Sequence, residues 1–149
     1  MAFNILIADD SETMRAAIKK VVTMSGVPVG EFYEAGNGKE ALAVLENAWV
    51  DVILSDINMP EMNGIELLGE IKKNRVHANL PVIFITTESS EARVEEAKKI
   101  GAAGYIKKPF LPETIKKILC EVLEKAYEQR LSEEMGGGRQ GEADEDMDF

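Results

Sequence analysis

Three short runs of this chain are continuously apolar and rich in β-branched residues, and they restrict the fold more than any other feature. The runs are residues 5–7, 52–54 and 82–85. A strand with one buried face alternates apolar and polar residues, whereas a continuous apolar run is typical of a strand buried on both faces, as in parallel sheets. With the flanking residues and two weaker runs, the pattern predicts five strands, at residues 3–8, 32–35, 50–54, 81–85 and 104–106.

Helical patterns lie between these strands. Met14, Ile18 and Val22 recur at helical spacing after Ser11, a residue type favoured at helix N-caps. Residues 89–100 are short and rich in Glu and Lys, which makes this the weakest helical pattern. The clearest apolar stripe follows Pro112 and consists of Ile115, Ile118, Leu119, Val122, Leu123 and Ala126. Strict alternation predicts a doubly wound α/β fold, with helices on both faces of a five-stranded parallel sheet.

The charge of the chain is unevenly distributed. Its 149 residues carry a net charge of −10, yet residues 131–149 hold seven acids and one base. This end contains three consecutive glycines and few aliphatic residues, so it cannot bury enough surface to order itself. We therefore predict a domain at residues 1–130 and a flexible acidic tail at residues 131–149. The tail is either a solubilising extension or a short linear motif anchored by Met147 and Phe149.

Composition also excludes several classes of protein. An acidic chain lacks the basic surface that nucleic-acid binding requires. The single cysteine, Cys120, excludes an internal disulfide framework and fits a reducing compartment. No apolar run approaches the length of a membrane span, and the first residues carry no basic region typical of a secretory signal. We expect a cytoplasmic protein without membrane insertion.

Charged and hydroxyl residues follow the predicted strands. Asp9 and Asp10 follow the first strand and Asp56 the third, while Thr86 and Lys108 follow the fourth and fifth. Because parallel strands end at one edge, these side chains should converge there. Clustered carboxylates repel unless they are protonated or a cation neutralises them, and oxygen ligands favour Mg²⁺. A nearby lysine suits a phosphoryl oxygen, and one carboxylate can act as nucleophile. No glycine-rich nucleotide-binding loop accompanies them.

Longer motifs surround these residues, at 7–11 (Ile-Ala-Asp-Asp-Ser), 35–41, 56–64 (Asp-Ile-Asn-Met-Pro-Glu-Met-Asn-Gly), 80–86 and 101–110. At these positions the chain resembles the receiver domain of two-component response regulators, and in particular the stand-alone CheY-like chemotaxis regulators. The resemblance covers about residues 3–127. It implies a flavodoxin-like fold with strand order 2-1-3-4-5.

The resemblance also implies a role for each matching residue. Asp56 would accept a phosphoryl group from a histidine kinase, and Lys108 would contact that group. The implied Mg²⁺ ligands are Asp9, Asp10, Asp56 and the backbone carbonyl of Asn58. A cis peptide bond between Lys108 and Pro109 would aim the lysine.

Further positions are implied to control switching and lifetime. Thr86 would move to hydrogen-bond the phosphoryl group, and Tyr105 would turn inward into the space this leaves. The face formed by the fourth helix, fifth strand and fifth helix would then change for a binding partner. Asn58 and Glu88 would set the lifetime of the phosphoryl group, and Thr87, bulkier than the more usual alanine, would narrow access to it.

Three functions remain open at this point. The first is a chemotaxis regulator, phosphorylated by a CheA-like histidine kinase, reset by a phosphatase and bound to the flagellar motor switch protein. The second is a phosphorelay intermediate that passes the phosphoryl group to a histidine phosphotransfer protein. The third is a Mg²⁺-dependent phosphatase with an Asp nucleophile, which usually has a second Asp where this chain has Asn58. Because no output module is expected after Arg130, we favour binding over catalysis as the output.

Overall fold

The structure is a computed structural model that describes residues 2–87 and 90–136, with side chains described up to Ala126. Strands and helices alternate as β1 (Phe3–Ala8), α1 (Glu12–Ser25), β2 (Val29–Ala35), α2 (Gly38–Asn47), β3 (Val52–Ser55), α3 (Gly64–Lys73), β4 (Val82–Thr86), α4 (Glu91–Ile100), β5 (Gly104–Lys107) and α5 (Pro112–Gly136). The strands form one parallel sheet in the order β2-β1-β3-β4-β5. The predicted doubly wound fold and its strand order are confirmed.

The two faces of the sheet bury separate apolar clusters. Alternate residues of β1 show the division, since Leu6 packs with α2 and α3 whereas Ile5 and Ile7 pack with α1 and α5. The three central strands are buried along nearly their whole length. The continuous apolar runs therefore form strands covered on both faces, as the pattern predicts.

Helices α1 to α4 begin at polar caps. The predicted cap Ser11 accepts a hydrogen bond from the backbone nitrogen of Met14 at 3.1 Å. Asn63 and Glu66 form a reciprocal capping box at the start of α3. In α4, whose sequence pattern is the weakest, Ala97 is the one buried residue, and the cap Ser90 and Gly101 in the left-handed conformation delimit the helix.

Two boundaries differ by three residues or more from those predicted. Strand β2 starts at Val29, because Phe3 pairs with Val29 and donates its backbone N–H to Pro28 O at 3.0 Å. Helix α5 continues to Gly136, past the domain boundary predicted at Arg130. Residues 128–135 are mostly Glu, Gln, Arg, Leu and Met, which are strong helix formers. Residues 137–149 lie outside the described residues, so the predicted tail and its motif stay predictions.

Across the described part of the chain, no helix combines the length and the apolar run needed to cross a bilayer.

Candidate functional site

The ends of the central strands bring the predicted residues together. Backbone pairing aligns Ala8 of β1 with Ser55 of β3, so Asp9 and Asp56 follow equivalent positions of neighbouring strands. Asp56 donates its backbone N–H to Ala8 O at 2.9 Å, which fixes the offset between the two acidic segments. The topology of the sheet, rather than any local motif, therefore creates the site.

The three carboxylates form one cluster. Each of Asp9, Asp10 and Asp56 has a carboxylate oxygen within 4.8 Å of the others. Asp9 is buried, with 2% of its surface exposed, while Asp56 is half-buried and Asp10 is exposed. The donor set is therefore all oxygen, anionic and open on one side. These properties fit Mg²⁺, which takes one or two protein carboxylates and keeps several waters.

Lys108 reaches this cluster from the other side. Its Nζ lies 3.0 Å from Asp9 Oδ2 and 3.4 Å from Asp56 Oδ2, and 12% of its side chain is exposed. The backbone N–H of Lys108 donates to Thr86 O at 2.8 Å, and the Lys108–Pro109 peptide bond is cis. The end of β5 thus places one ammonium between two carboxylates and offsets part of their repulsion.

The two oxygens of Asp56 have different surroundings. Oδ1 accepts hydrogen bonds from the backbone nitrogens of Ile57 at 2.7 Å and Asn58 at 3.4 Å. Oδ2 instead faces Lys108. Main-chain donors therefore hold Oδ1, and Oδ2 faces the ammonium of Lys108.

Gly64 fixes the backbone under Asp56. It donates its N–H to Ile57 O at 2.8 Å, which draws the start of α3 against the end of β3. A Cβ at Gly64 would collide with the main-chain oxygen of Asp56 and would lie 2.8 Å from a ring carbon of Phe84. This close approach requires glycine.

A second basic side chain contacts the loop after β1 without contacting its carboxylates. Arg15 donates from Nη1 to Asp9 O at 2.6 Å and from Nε to Glu34 Oε1 at 2.9 Å. Lys19 lies 2.7 Å from the other oxygen of Glu34. Hydrogen bonds from Lys19 and Arg15 hold the pKa of Glu34 below its ordinary value.

The residues predicted for switching lie on β4 and β5. Thr86 is fully buried at the end of β4, and Tyr105 is half-buried on β5, where it pairs with Phe84 and packs against the apolar cluster under α2 and α3. Asn58 and Thr87 are exposed beside the site. Glu88 lies outside the described residues, so its predicted role is not placed.

Sequence reasoning misses two parts of this arrangement. Arg15 and Glu34 resemble ordinary surface charges on a helix and an edge strand, and no local signal links them. Gly64 could have been noticed, because a glycine directly after the cap residue Asn63 is a poor helix former. Their roles depend on contacts between segments that are distant along the chain.

Fold and site together define a parallel α/β protein with an anionic, lysine-capped site at the carboxyl edge of its sheet. The family model of the response regulator receiver domain matches residues 5–120. The chain belongs to this family.

Several proteins similar to this chain are chemotaxis proteins. The chemotaxis protein CheY homolog of Campylobacter jejuni is 42% identical over 120 residues, which are 80% of this chain and 91% of that protein. Chemotaxis protein CheY1 of Helicobacter pylori is also 42% identical, over 80% of this chain and 95% of its own. The solved structure of the chemotaxis response regulator CheY4 of Vibrio cholerae superposes with a TM-score of 0.72 at 36% identity, over 82% of this chain and 99% of that one. The chain is therefore a CheY-like receiver domain.

Proposed function

We propose that this receiver accepts a phosphoryl group from a histidine kinase on Asp56 Oδ2. The observation that carries the proposal is the position of that oxygen, 3.4 Å from Lys108 Nζ within a cluster of three carboxylates. Oδ1 is already engaged by main-chain N–H groups, so Oδ2 is the oxygen available for attack.

In the transfer step, one bond to phosphorus forms as another breaks. Asp56 Oδ2 forms a bond to phosphorus as the bond from phosphorus to the kinase histidine nitrogen breaks, and that nitrogen keeps the electron pair. Lys108 would contact an equatorial oxygen of the transferring group. Asp9, Asp10, Asp56 and the backbone carbonyl of Asn58 would hold Mg²⁺, which when bound neutralises charge on the phosphoryl oxygens.

The output would be a change of the α4-β5-α5 face. Phosphorylation adds a strongly anionic group beside Thr86, and Thr86 would hydrogen-bond it while Tyr105 turns inward. Support comes from the chain itself, because the backbone of Lys108 is bonded to Thr86 O and Tyr105 lies on the adjoining strand. Asn58, Thr87 and Glu88 would set how fast water removes the group.

The partners in this proposal follow from the named function of the relatives. Since the relatives from Campylobacter jejuni and Helicobacter pylori are chemotaxis proteins, a CheA-like histidine kinase and a flagellar motor switch protein are the proposed partners, with a phosphatase to reset the signal. A cytoplasmic location belongs to the same proposal.

Phosphorylation is tested with acetyl phosphate and Mg²⁺. The intact mass of the wild-type chain should rise by one phosphoryl group, the modification should be lost in Asp56→Asn, and Glu61→Gln, an acid on the same loop, should retain it. Labelling that survives Asp56→Asn would contradict the site. Pull-down with the phosphorylated and unmodified chains should recover a motor switch protein with the former. Recovery of a histidine phosphotransfer protein would instead support the relay function.

A further inference from the structure

Arg15 connects the loop after β1, which carries Asp9 and Asp10, to β2, a strand that contributes none of the proposed Mg²⁺ ligands. Its guanidinium donates to the main-chain oxygen of Asp9 and to Glu34 on the edge strand β2, at 2.6 and 2.9 Å. The side chain is 16% exposed, so solvent competes little for these bonds. Asp9 is also held by its own N–H, which donates to Ala35 O at 3.0 Å. The strand β2 therefore anchors Asp9 directly and through Arg15.

We propose that Arg15 is a positioning residue for Mg²⁺ binding, acting through the main chain of Asp9. By fixing that carbonyl, it sets the direction in which the carboxylates of Asp9 and Asp10 leave the backbone. This inference rests on the proposed Mg²⁺-dependent function. It adds a residue that touches neither the cation nor the phosphoryl group.

Only a guanidinium suits this task. Its planar fork donates along two fixed directions, so one group can bind Asp9 O and Glu34 together. Lys19 offers a natural comparison on the same helix. It lies one turn further along α1, with its Nζ 2.7 Å from Glu34 Oε2 and 6.0 Å from the ring of Phe32. The two residues share Glu34, but Arg15 is the one with a bond to the loop.

Loss of Arg15 would raise Mg²⁺ affinity if its charge mattered more, and would lower it if its positioning of Asp9 mattered more. A cation near the acidic cluster repels Mg²⁺, so removing it would strengthen binding if charge dominated. Glu34 already offsets the charge of Arg15, however, and the acceptor on Asp9 is a neutral carbonyl. We therefore expect the loss of positioning to outweigh the loss of repulsion, so that Mg²⁺ affinity falls. Partners that orient metal ligands typically change affinity about 10–100-fold when mutated.

Isothermal titration calorimetry with Mg²⁺ alone tests the proposal. Arg15→Met should weaken Mg²⁺ affinity about tenfold, the low end because the contact is with the main chain. Arg15→Lys keeps the charge but cannot make both bonds, and it should weaken affinity by a similar factor. The control Lys19→Met should remain within about twofold of wild type. Far-UV circular dichroism establishes that each variant is folded, and the rate of modification by acetyl phosphate should fall in parallel with affinity.

The possible outcomes separate the two proposals. A wild-type chain that neither binds Mg²⁺ nor becomes phosphorylated on Asp56 would overturn the proposed function and this inference together. A wild-type chain that does both, with Arg15→Met equal to Lys19→Met, would overturn the role of Arg15 alone. Tighter Mg²⁺ binding by Arg15→Met, with Arg15→Lys unchanged, would show that charge dominates and would also overturn it.

Discussion

Asp56→Asn is expected to stabilise the folded chain when no divalent cation is bound. Asp9, Asp10 and Asp56 have oxygens within 4.8 Å of one another, and Lys108 contacts two of the three. Neutralising Asp56 removes its repulsion with both other carboxylates and its attraction to Lys108. The net gain therefore corresponds to about one carboxylate pair.

The size of that gain follows from Coulomb's law. At 4.8 Å, one pair repels by about 1 kcal/mol at the dielectric constant of water and by about 3.5 kcal/mol at an effective value of 20. Part is offset because an amide oxygen accepts weaker hydrogen bonds from Ile57 and Asn58 than a carboxylate does. We expect a net stabilisation of about 1–2 kcal/mol.

Urea unfolding followed by circular dichroism, with a chelator present, measures this difference. Saturating Mg²⁺ should remove the difference in stability between Asp56→Asn and wild type, because the ion binds and stabilises the folded wild type. Asp51→Asn is the matched control, since Asp51 is an acid whose carboxylate instead accepts hydrogen bonds from Asn4 N at 2.7 Å and Trp49 Nε1 at 3.0 Å. Asp51→Asn should lower the free energy of unfolding by about 1 kcal/mol. A variant Asp56→Asn that is no more stable than wild type without Mg²⁺ would refute the reasoning.

Three other substitutions test separate parts of the structure. Gly64→Ala should lower the free energy of unfolding by about 1–3 kcal/mol in urea, because its Cβ meets Asp56 O; an unchanged midpoint would contradict the contact. Lys108→Met should slow modification by acetyl phosphate about 100-fold without weakening Mg²⁺ binding, and equal rates would exclude the proposed phosphoryl contact. Glu34 has a lowered pKa, so its stabilisation is present above its unfolded value near 4.5 and is lost as the pH falls through the folded value. Glu34→Gln should therefore lower the free energy of unfolding by under about 1 kcal/mol at neutral pH, and by less in acid. Urea unfolding at the two pH values measures this, and a difference from wild type that does not change with pH would contradict the ion pairs.

The sequence predicts the meeting of Asp9, Asp56 and Lys108 because that meeting depends only on topology. Once the segments before these residues, at 5–7, 52–54 and 104–106, are interpreted as parallel strands, their carboxyl ends must share an edge. The structure then brings the residues that follow those strands together, as the pattern indicates.

Features that depend on contacts between segments were harder to predict. Gly30 belongs to β2, ahead of the start predicted at residue 32, and a Cβ there would lie 2.6 Å from Asn4 Oδ1. Asn4 uses that oxygen to accept from Glu31 N at 3.0 Å, so the start of β2 depends on a side chain of β1. The bond from Arg15 to Asp9 is hidden for the same reason, since neither residue's neighbours indicate it.

The different surroundings of the two Asp56 oxygens bear on how the site can change state. Oδ1 is held by the main-chain N–H groups of Ile57 and Asn58, whereas Oδ2 contacts the ammonium of Lys108. A group attached to Oδ2 can therefore take over the lysine without disturbing the backbone of β3. Because the backbone N–H of Lys108 is bonded to Thr86 O, any shift of the lysine acts first on the ends of β4 and β5. The acidic loop after β1, anchored to β2 through Arg15, can stay in place meanwhile, which fits the proposed change at the α4-β5-α5 face rather than at α1.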